Sequence, residues 1–258
     1  MAEFDPNIPS IARVYDYVLG GKNNFAADRE LGDRLLVLLP LVGQVAGENR
    51  QFLSRAVTWA ANQGISQFLD LGCGLPTAPN THESAQAINE DARVVYVDND
   101  PIVVNHLQAL LAKGNPGVRV VDSDVRDVDA VLDGARAGLD LSAPVGLIAG
   151  CLVHFFTAGA ARDLVARYTA VLAPGSCLAL STFHAEGEDS DEGLSMYSSK
   201  AAPVYNHPVP DFASFFAPFE LVPPELVDAR RWHPGWDLPN PPPRDFYILA
   251  GVARKRSD

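Results

Sequence analysis

Cysteine, positive charge and long apolar runs are all scarce in this sequence. Only three cysteines occur, Cys73, Cys151 and Cys177, and their spacing makes neither a zinc pattern nor a disulfide framework. They read as buried small side chains. Lysine and arginine total 20 against 32 aspartates and glutamates, for a formal net charge of −12. So acidic a surface repels phosphate backbones and argues against a nucleic-acid partner. No uncharged apolar stretch reaches membrane-spanning length, and the acidic opening, broken by Pro6 and Pro9, lacks the form of a secretion signal. A cytoplasmic protein without a membrane partner is the expectation, and nothing in the sequence signals an oligomeric state.

What is present is enough apolar material for one sizeable core: 258 residues, 47% of them hydrophobic. Residues 1–64 read as helical. Ser10 can cap a helix through IARVYDYVL that ends at Gly20-Gly21. A second helix follows Asn24, and a third covers about Glu48 to Gln63. From residue 65 the pattern changes to short apolar runs separated by helical stretches. The runs are QFLDLGCG, RVVYVDND, VRVVDSD, VGLIAGCL and GSCLALSTF, with FELVPP and DFYILAGVAR as later candidates. Their ends at Asp70, Asp98, Asp124 and Cys151 lie 28, 26 and 27 residues apart. That interval suits a strand, a crossover helix and two loops. The pattern predicts a doubly wound α/β domain over 65–258 with a helical cap over 1–64. Right-handed crossovers would place the strand ends, and a ligand, on one rim. The acidic stretch 186–192 (EGEDSDE) reads as a solvated loop.

The first rim segment is Asp70-Leu-Gly-Cys-Gly-Leu-Pro-Thr77. Gly72 and Gly74, with Cys73 between them, allow a ligand to lie against the backbone. A dinucleotide fingerprint would place a third glycine at position 77, where threonine stands. Asp70 is poorly placed beside a pyrophosphate and better suited to a cationic or zwitterionic group. Asp98 can accept hydrogen bonds from both hydroxyls of a ribose. Asn99 can border an adenine. Asp124 can accept from the adenine amino group, with the Val125 backbone on the ring edge. Arg126 and Asp127 read as a surface or helix-start pair.

The segments SIARVYDYVLGGKNNFAADRE (10–30), QFLDLGCGLPTAPNTHESAQ (67–86) and ARVVYVDNDPIV (92–103) resemble an actinobacterial family of S-adenosylmethionine-dependent methyltransferases, long described as a domain of unknown function. SDVRD (123–127) and LVHFF (152–156) agree with it. The resemblance runs from about residue 7 to the C-terminus. It implies a Rossmann-like sheet of about seven mostly parallel strands, the last antiparallel. It implies S-adenosyl-L-methionine as cofactor and S-adenosyl-L-homocysteine as product. It also implies that Asp70, Gly72 and Gly74 line the methionine part, Asp98 the ribose, and Asp124 and Val125 the adenine. Cys151 to His154 would stand beside the sulfonium and the substrate. Arg13, Tyr17, Gly20, Gly21, Lys22, Asn23 and Phe25 would lie over or beside the pocket.

Methyl transfer from a sulfonium is an in-line displacement that needs alignment and, for a hydroxyl acceptor, a base. His154 is the leading candidate base and His184 the second, each weighed against a packed structural role. Tyr17 ranks above Tyr15 by the family pattern. On a helix these two side chains point in different directions. Lys22 can meet the cofactor carboxylate or an acidic substrate. The acidic charge and the family context favour a small-molecule acceptor. Two alternatives stand beside the methyltransferase reading: a catalytically silent adenosyl-ligand-binding regulator, and an NAD-dependent oxidoreductase.

Overall fold

A computed structural model of the chain describes residues 5–186, 188–236 and 239–256. Three helices come first: α1 (Ile11–Val18), α2 (Ala26–Leu38) and α3 (Val42–Asn62). Strands and helices then alternate as β1 (Gln67–Leu71), α4 (Thr81–Gln86), β2 (Arg93–Asp98), α5 (Pro101–His106), β3 (Val118–Asp122), α6 (Val128–Ala135), β4 (Gly146–Gly150), α7 (Ala158–Ala170) and β5 (Cys177–Ala185). The C-terminal third adds α8 (Glu188–Lys200), α9 (Val209–Ser214), β6 (Glu220–Leu221), β7 (Val227–Asp228) and β8 (Phe246–Arg254).

The eight strands form one sheet in the order β3-β2-β1-β4-β5-β8-β6, with β7 also paired to β8. The first five are parallel, and β8 runs antiparallel against all nine residues of β5. Strand order reverses between β1 and β4, so the carboxyl ends of β1, β2 and β4 border a crevice where such sheets bind ligands. Every residue of β1 is buried and all but the first of β2, as expected of strands covered on both faces. The edge strand β3 is more exposed, so the continuously apolar pattern weakens where only one neighbour remains.

Two hydrophobic clusters cover the sheet. On one face Val131, Leu164, Tyr168 and Phe212 pack against Leu147 and Leu178. On the other Phe52, Val57, Val103 and Trp232 pack against Phe68 and Ile148. Trp232 is fully buried, with its ring edge-on to Phe52 at 5.5 Å and to Trp59 at 6.2 Å. A third, smaller cluster joins α1 and α2 to α8 through Val14, Leu31, Leu35 and Leu39, with Met196 and Tyr197 against them.

Several expectations change in detail. Helix α3 begins at Val42, six residues before the expected start. Residue 187 of the acidic stretch lies outside the described residues, and a helix, not a loop, starts at Glu188. The helix from Pro101 widens into a π-helical turn over Leu107–Ala112. Ser10 does precede α1, but its hydroxyl bonds the Asp100 carboxylate and caps no helix N–H. Among the described residues no helix is long and apolar enough to cross a membrane.

Candidate active site

A cavity of about 660 Å³ opens at the carboxyl rim of the sheet, walled by the strand tips below and α1, α2, α3 and α8 above. Its floor begins where β1 ends. Gly72 has φ +60° and Gly74 φ +67°, the left-handed region that favours glycine. At Gly72 a Cβ would also come within 2.8 Å of Leu152, whereas at Gly74 it would enter open space. The loop is pinned to β2 by the Gly72 N–H, which donates to the Val97 carbonyl at 2.8 Å.

Asp98 is buried at the tip of β2. One carboxylate oxygen accepts the Gly74 N–H at 2.9 Å and the other the Asp100 N–H at 3.0 Å. Each oxygen therefore retains acceptor capacity toward the cavity. Burial raises the Asp98 carboxyl above its ordinary value, and the backbone donors oppose the shift. Asp70, at the tip of β1, accepts the Thr81 hydroxyl at 2.6 Å. Burial pushes its carboxyl up to about 6, against the pull of Thr81 and Arg50.

Arg50 comes from α3 and was not singled out in the sequence. One terminal nitrogen donates to the Thr77 carbonyl at 2.8 Å, while its Nε is buried without a hydrogen-bond partner. A signal was available. No acid stands three or four residues from Arg50 in either direction, so the helix itself offers no ion-pair partner. Arg50 and Asp70 together line one stretch of wall with opposite charges and orphaned polarity, which matches the ammonium and carboxylate of an amino-acid ligand.

Asp124 and Val125 also line the cavity, as does Asn99. The Asp124 carboxylate is largely engaged, however. Arg126 clamps it through Nε at 2.9 and 3.0 Å, and Asn99 Nδ2 donates at 3.3 Å. That clamp holds its carboxyl below the usual range.

The other half of the cavity is different. His154 is buried, its ring 4.3 Å from Phe155 and 4.7 Å from Phe183, and its Nδ1 has no hydrogen-bond partner. Burial, with a smaller push from His207, drives its basicity down to about 3. Cys151 has φ +50°, and its N–H donates to Ser181 Oγ at 3.0 Å. That hydroxyl donates to Asn49 Oδ1 at 2.6 Å. Asn49 Nδ2 reaches the Tyr15 hydroxyl at 3.0 Å, which in turn donates to the Ala46 carbonyl at 3.0 Å. This chain of bonds ties α1 to the β4 tip. Burial raises the thiols of Cys73 and Cys151, the latter to about 12, so neither is a thiolate at neutral pH.

The comparisons with known proteins agree with this geometry. A sequence model described as S-adenosyl methyltransferase matches residues 1–256. The chain belongs to this family. It is thereby a methyltransferase of the S-adenosylmethionine-dependent class, and the oxidoreductase alternative falls. A crystal structure of a protein from Thermobifida fusca YX, assigned to the methyltransferases, is 39% identical over 97% of this chain and 96% of its own, with TM-score 0.90. A DUF574-family protein from Streptomyces avermitilis is 37% identical over 97% and 99%, with TM-score 0.89. Magnesium protoporphyrin IX methyltransferase from Synechocystis, solved with bound S-adenosylmethionine, shares the fold at 15% identity over 100% of both chains, with TM-score 0.53. No curated protein matches in sequence.

Not every expected residue of this methyltransferase reaches the cavity. Tyr17 does not line it. Tyr17 lies on the opposite side of α1 from Tyr15, its ring over Gly32, where a Cβ would come within 2.3 Å, and its hydroxyl donating to Asp33 at 2.6 Å. Tyr15 lines the cavity in its place. His184 follows Phe183 on β5, so strand alternation turns it to the other face, 5.1 Å from the Tyr247 ring and 3.2 Å from Glu186. Lys22 is exposed and Gly21 lies outside the wall. A Cβ at Gly21 would fall 2.1 Å from Asp16 Oδ1, so this glycine makes room for the carboxylate that holds the turn through Asn23 and Asn24. Arg13 does line the cavity, but its Nε is committed to the buried Asp28 at 2.8 Å.

Proposed function

We propose that this methyltransferase binds S-adenosyl-L-methionine along the tips of β1, β2 and β3. It passes the methyl group to a small molecule held over β4, β5 and β8, with residues 1–64 as the cap. The observation that carries this reading is the meeting of Asp98, Asp70 and Arg50 in one cavity. Asp98 offers one lone pair from each oxygen to a ribose diol. Asp70 and Arg50 suit the ammonium and carboxylate of the methionine part. Gly74 leaves the backbone open beside them. Asn99 and Val125 border the adenine, and Asp124, engaged by Arg126, contributes less than its position alone suggests.

The cofactor supplies an electrophilic methyl group on a sulfonium. The protein's part is alignment: the nucleoside fixed at three strand tips, the acceptor at the other end, and water kept out between them. Calorimetry with S-adenosyl-L-methionine, S-adenosyl-L-homocysteine and NAD tests the site. Both adenosyl ligands should bind and NAD should not; tight NAD binding alone would reject the assignment. Each charge-assisted ribose bond is worth about 1.5–3 kcal/mol. Asp98→Ala should therefore weaken the adenosyl ligands by at least about tenfold, and unchanged affinity would remove Asp98 from the ribose. Transfer of an isotopically labelled methyl group to an acceptor separates an enzyme from a silent regulator.

A further inference from the structure

The cavity reaches well beyond a nucleoside. It runs from Asp124 beside β3 to Ile248 on β8, five strand spacings or about 24 Å along the rim. Its charged walls are unevenly placed. Asp70, Asp98, Asp124 and Arg50 sit at or near the β1–β3 tips, and Asp5, Arg13 and Asp100 belong to the adjoining N-terminal segment and the start of α5. Over β4, β5 and β8 the wall changes to Phe155, Phe183, Phe246 and Ile248, closed from above by Leu39 and Tyr197. Phe183 and Phe246 are stacked, with centroids 6.1 Å apart and planes 27° from parallel. Among the described residues, this half of the wall contains no lysine, arginine, aspartate or glutamate.

Such a chamber selects against charge. A charged acceptor would give up its hydration and meet no counter-ion. Flat rings, by contrast, would find aromatic faces and edges at contact distance. The imidazole of His154 is a polar group within this largely apolar wall. It is 6% exposed; its Nδ1 lacks a partner but is closed off from the cavity, and its Nε2 makes no hydrogen bond among the described residues, so one ring nitrogen remains for a ligand. A hydroxyl, able both to donate and to accept, can bond to a neutral imidazole in either tautomer. Tyr197 is held neutral by burial and brings no competing charge.

Resting on the cofactor reading above, we infer that the methyl acceptor is an uncharged aromatic hydroxyl compound, its rings against Phe183 and Phe246 and its hydroxyl on His154. As a hydroxyl lone pair forms the new bond to the methyl carbon, the carbon–sulfur bond breaks with its electron pair left on sulfur. His154 takes the hydroxyl proton. The products are a methyl ether, S-adenosyl-L-homocysteine and an imidazolium that passes its proton to solvent. The chamber carries one positive charge before transfer and one after, so no unbalanced charge is created in the apolar surroundings. Low basicity in the empty chamber then returns His154 to its neutral form.

The test uses the full chain saturated with S-adenosyl-L-homocysteine and three matched probes: 2-naphthol, 2-naphthoate and 2-naphthylmethylammonium. 2-Naphthol should bind at least tenfold tighter than either charged analogue. In His154→Phe, which keeps an aromatic ring in the site, its advantage over naphthalene should disappear while S-adenosyl-L-homocysteine still binds. A charged probe that binds as tightly as 2-naphthol, or no binding of any of the three at millimolar concentration, would overturn the inference and leave the cofactor site standing. Failure of S-adenosyl-L-homocysteine itself to bind would instead overturn both.

Discussion

Asp70 shows how one buried carboxyl can report on a ligand placed beside it, as the proposed pose requires. Burial pushes it up to about 6, with Thr81 and Arg50 pulling the other way and the neighbouring Asp98 adding to the rise. The folded carboxyl thus binds its proton more tightly than the unfolded one. Its contribution to stability is complete below the ordinary carboxylate value and is lost as pH rises through 6. An ammonium placed against Asp70 reverses the balance, because only the carboxylate attracts it. The affinity for S-adenosyl-L-methionine should therefore fall about tenfold between pH 7 and pH 5. Calorimetry at pH 6 in buffers of different ionisation enthalpy should show proton release on binding. Methylthioadenosine, which lacks the ammonium, should show neither effect. Equal pH profiles for the two ligands would remove Asp70 from the methionine end. His154 sits at the opposite limit, driven down to about 3, so it does not titrate across this range.

At the level of elements, one buried ion pair ties α1 to α2 beside the hydrophobic cluster they share. Asp28 is fully buried and accepts from Arg13 Nε at 2.8 Å, from the Ser10 N–H at 2.9 Å and from the Phe25 N–H at 2.8 Å. Removing one partner of such a pair leaves a buried charge uncompensated, at a cost of about 3–5 kcal/mol. Asp28→Ala should lose about that much in urea unfolding, and the double change Arg13→Met, Asp28→Leu should recover part of it. A loss below about 1 kcal/mol would place the pair among weak, solvent-screened ones. No sequence pattern announces this contact, since Asp28 reads as one more acid on an amphipathic helix. The strands were legible for the opposite reason. Parallel strands buried on both faces make uninterrupted apolar runs, and the crossovers between them fix the interval at which Asp70, Asp98 and Asp124 recur. Those residues are readable because each stands within two residues of a strand end: Asp98 closes β2, Asp70 comes one residue before the end of β1 and Asp124 two after the end of β3. Arg50, Tyr15 and Tyr197 reach the same cavity from helices, and the angle at which a helix docks on a sheet is set by packing that local spacing does not encode. The order of Tyr17 and Tyr15 turns on the same packing: the two faces of α1 can be told apart in the sequence, but not which one turns inward, and it is Tyr15 that lines the cavity.

On the scale of the whole molecule, the cavity is where the separately packed parts meet. Its walls take residues from α1, α2, α3 and α8, from the loops that follow β1, β2, β3 and β4, and from β5 and the antiparallel β8. A ligand filling it would touch the small cluster that joins α1 and α2 to α8, through Leu35 and Leu39, as well as Ile148's layer, through Phe183 and Ile248. Binding to the folded state alone stabilises it by mass action, by about 2.7 kcal/mol at a ligand concentration of 100 Kd. For a chain of this size each kcal/mol raises the melting temperature by about 2–4 °C, so saturation with S-adenosyl-L-homocysteine should raise it by roughly 5–10 °C. NAD at the same concentration should leave it unchanged. A ligand bound as proposed would touch both α1–α3 and the sheet, so the shift should appear in a single transition followed by circular dichroism and by tryptophan fluorescence, to which the buried Trp232 contributes. A cap that melted first, unaffected by the ligand, would mean that α1 and α2 stand apart from the site; one coincident, ligand-raised transition is the outcome expected of walls that share a cavity.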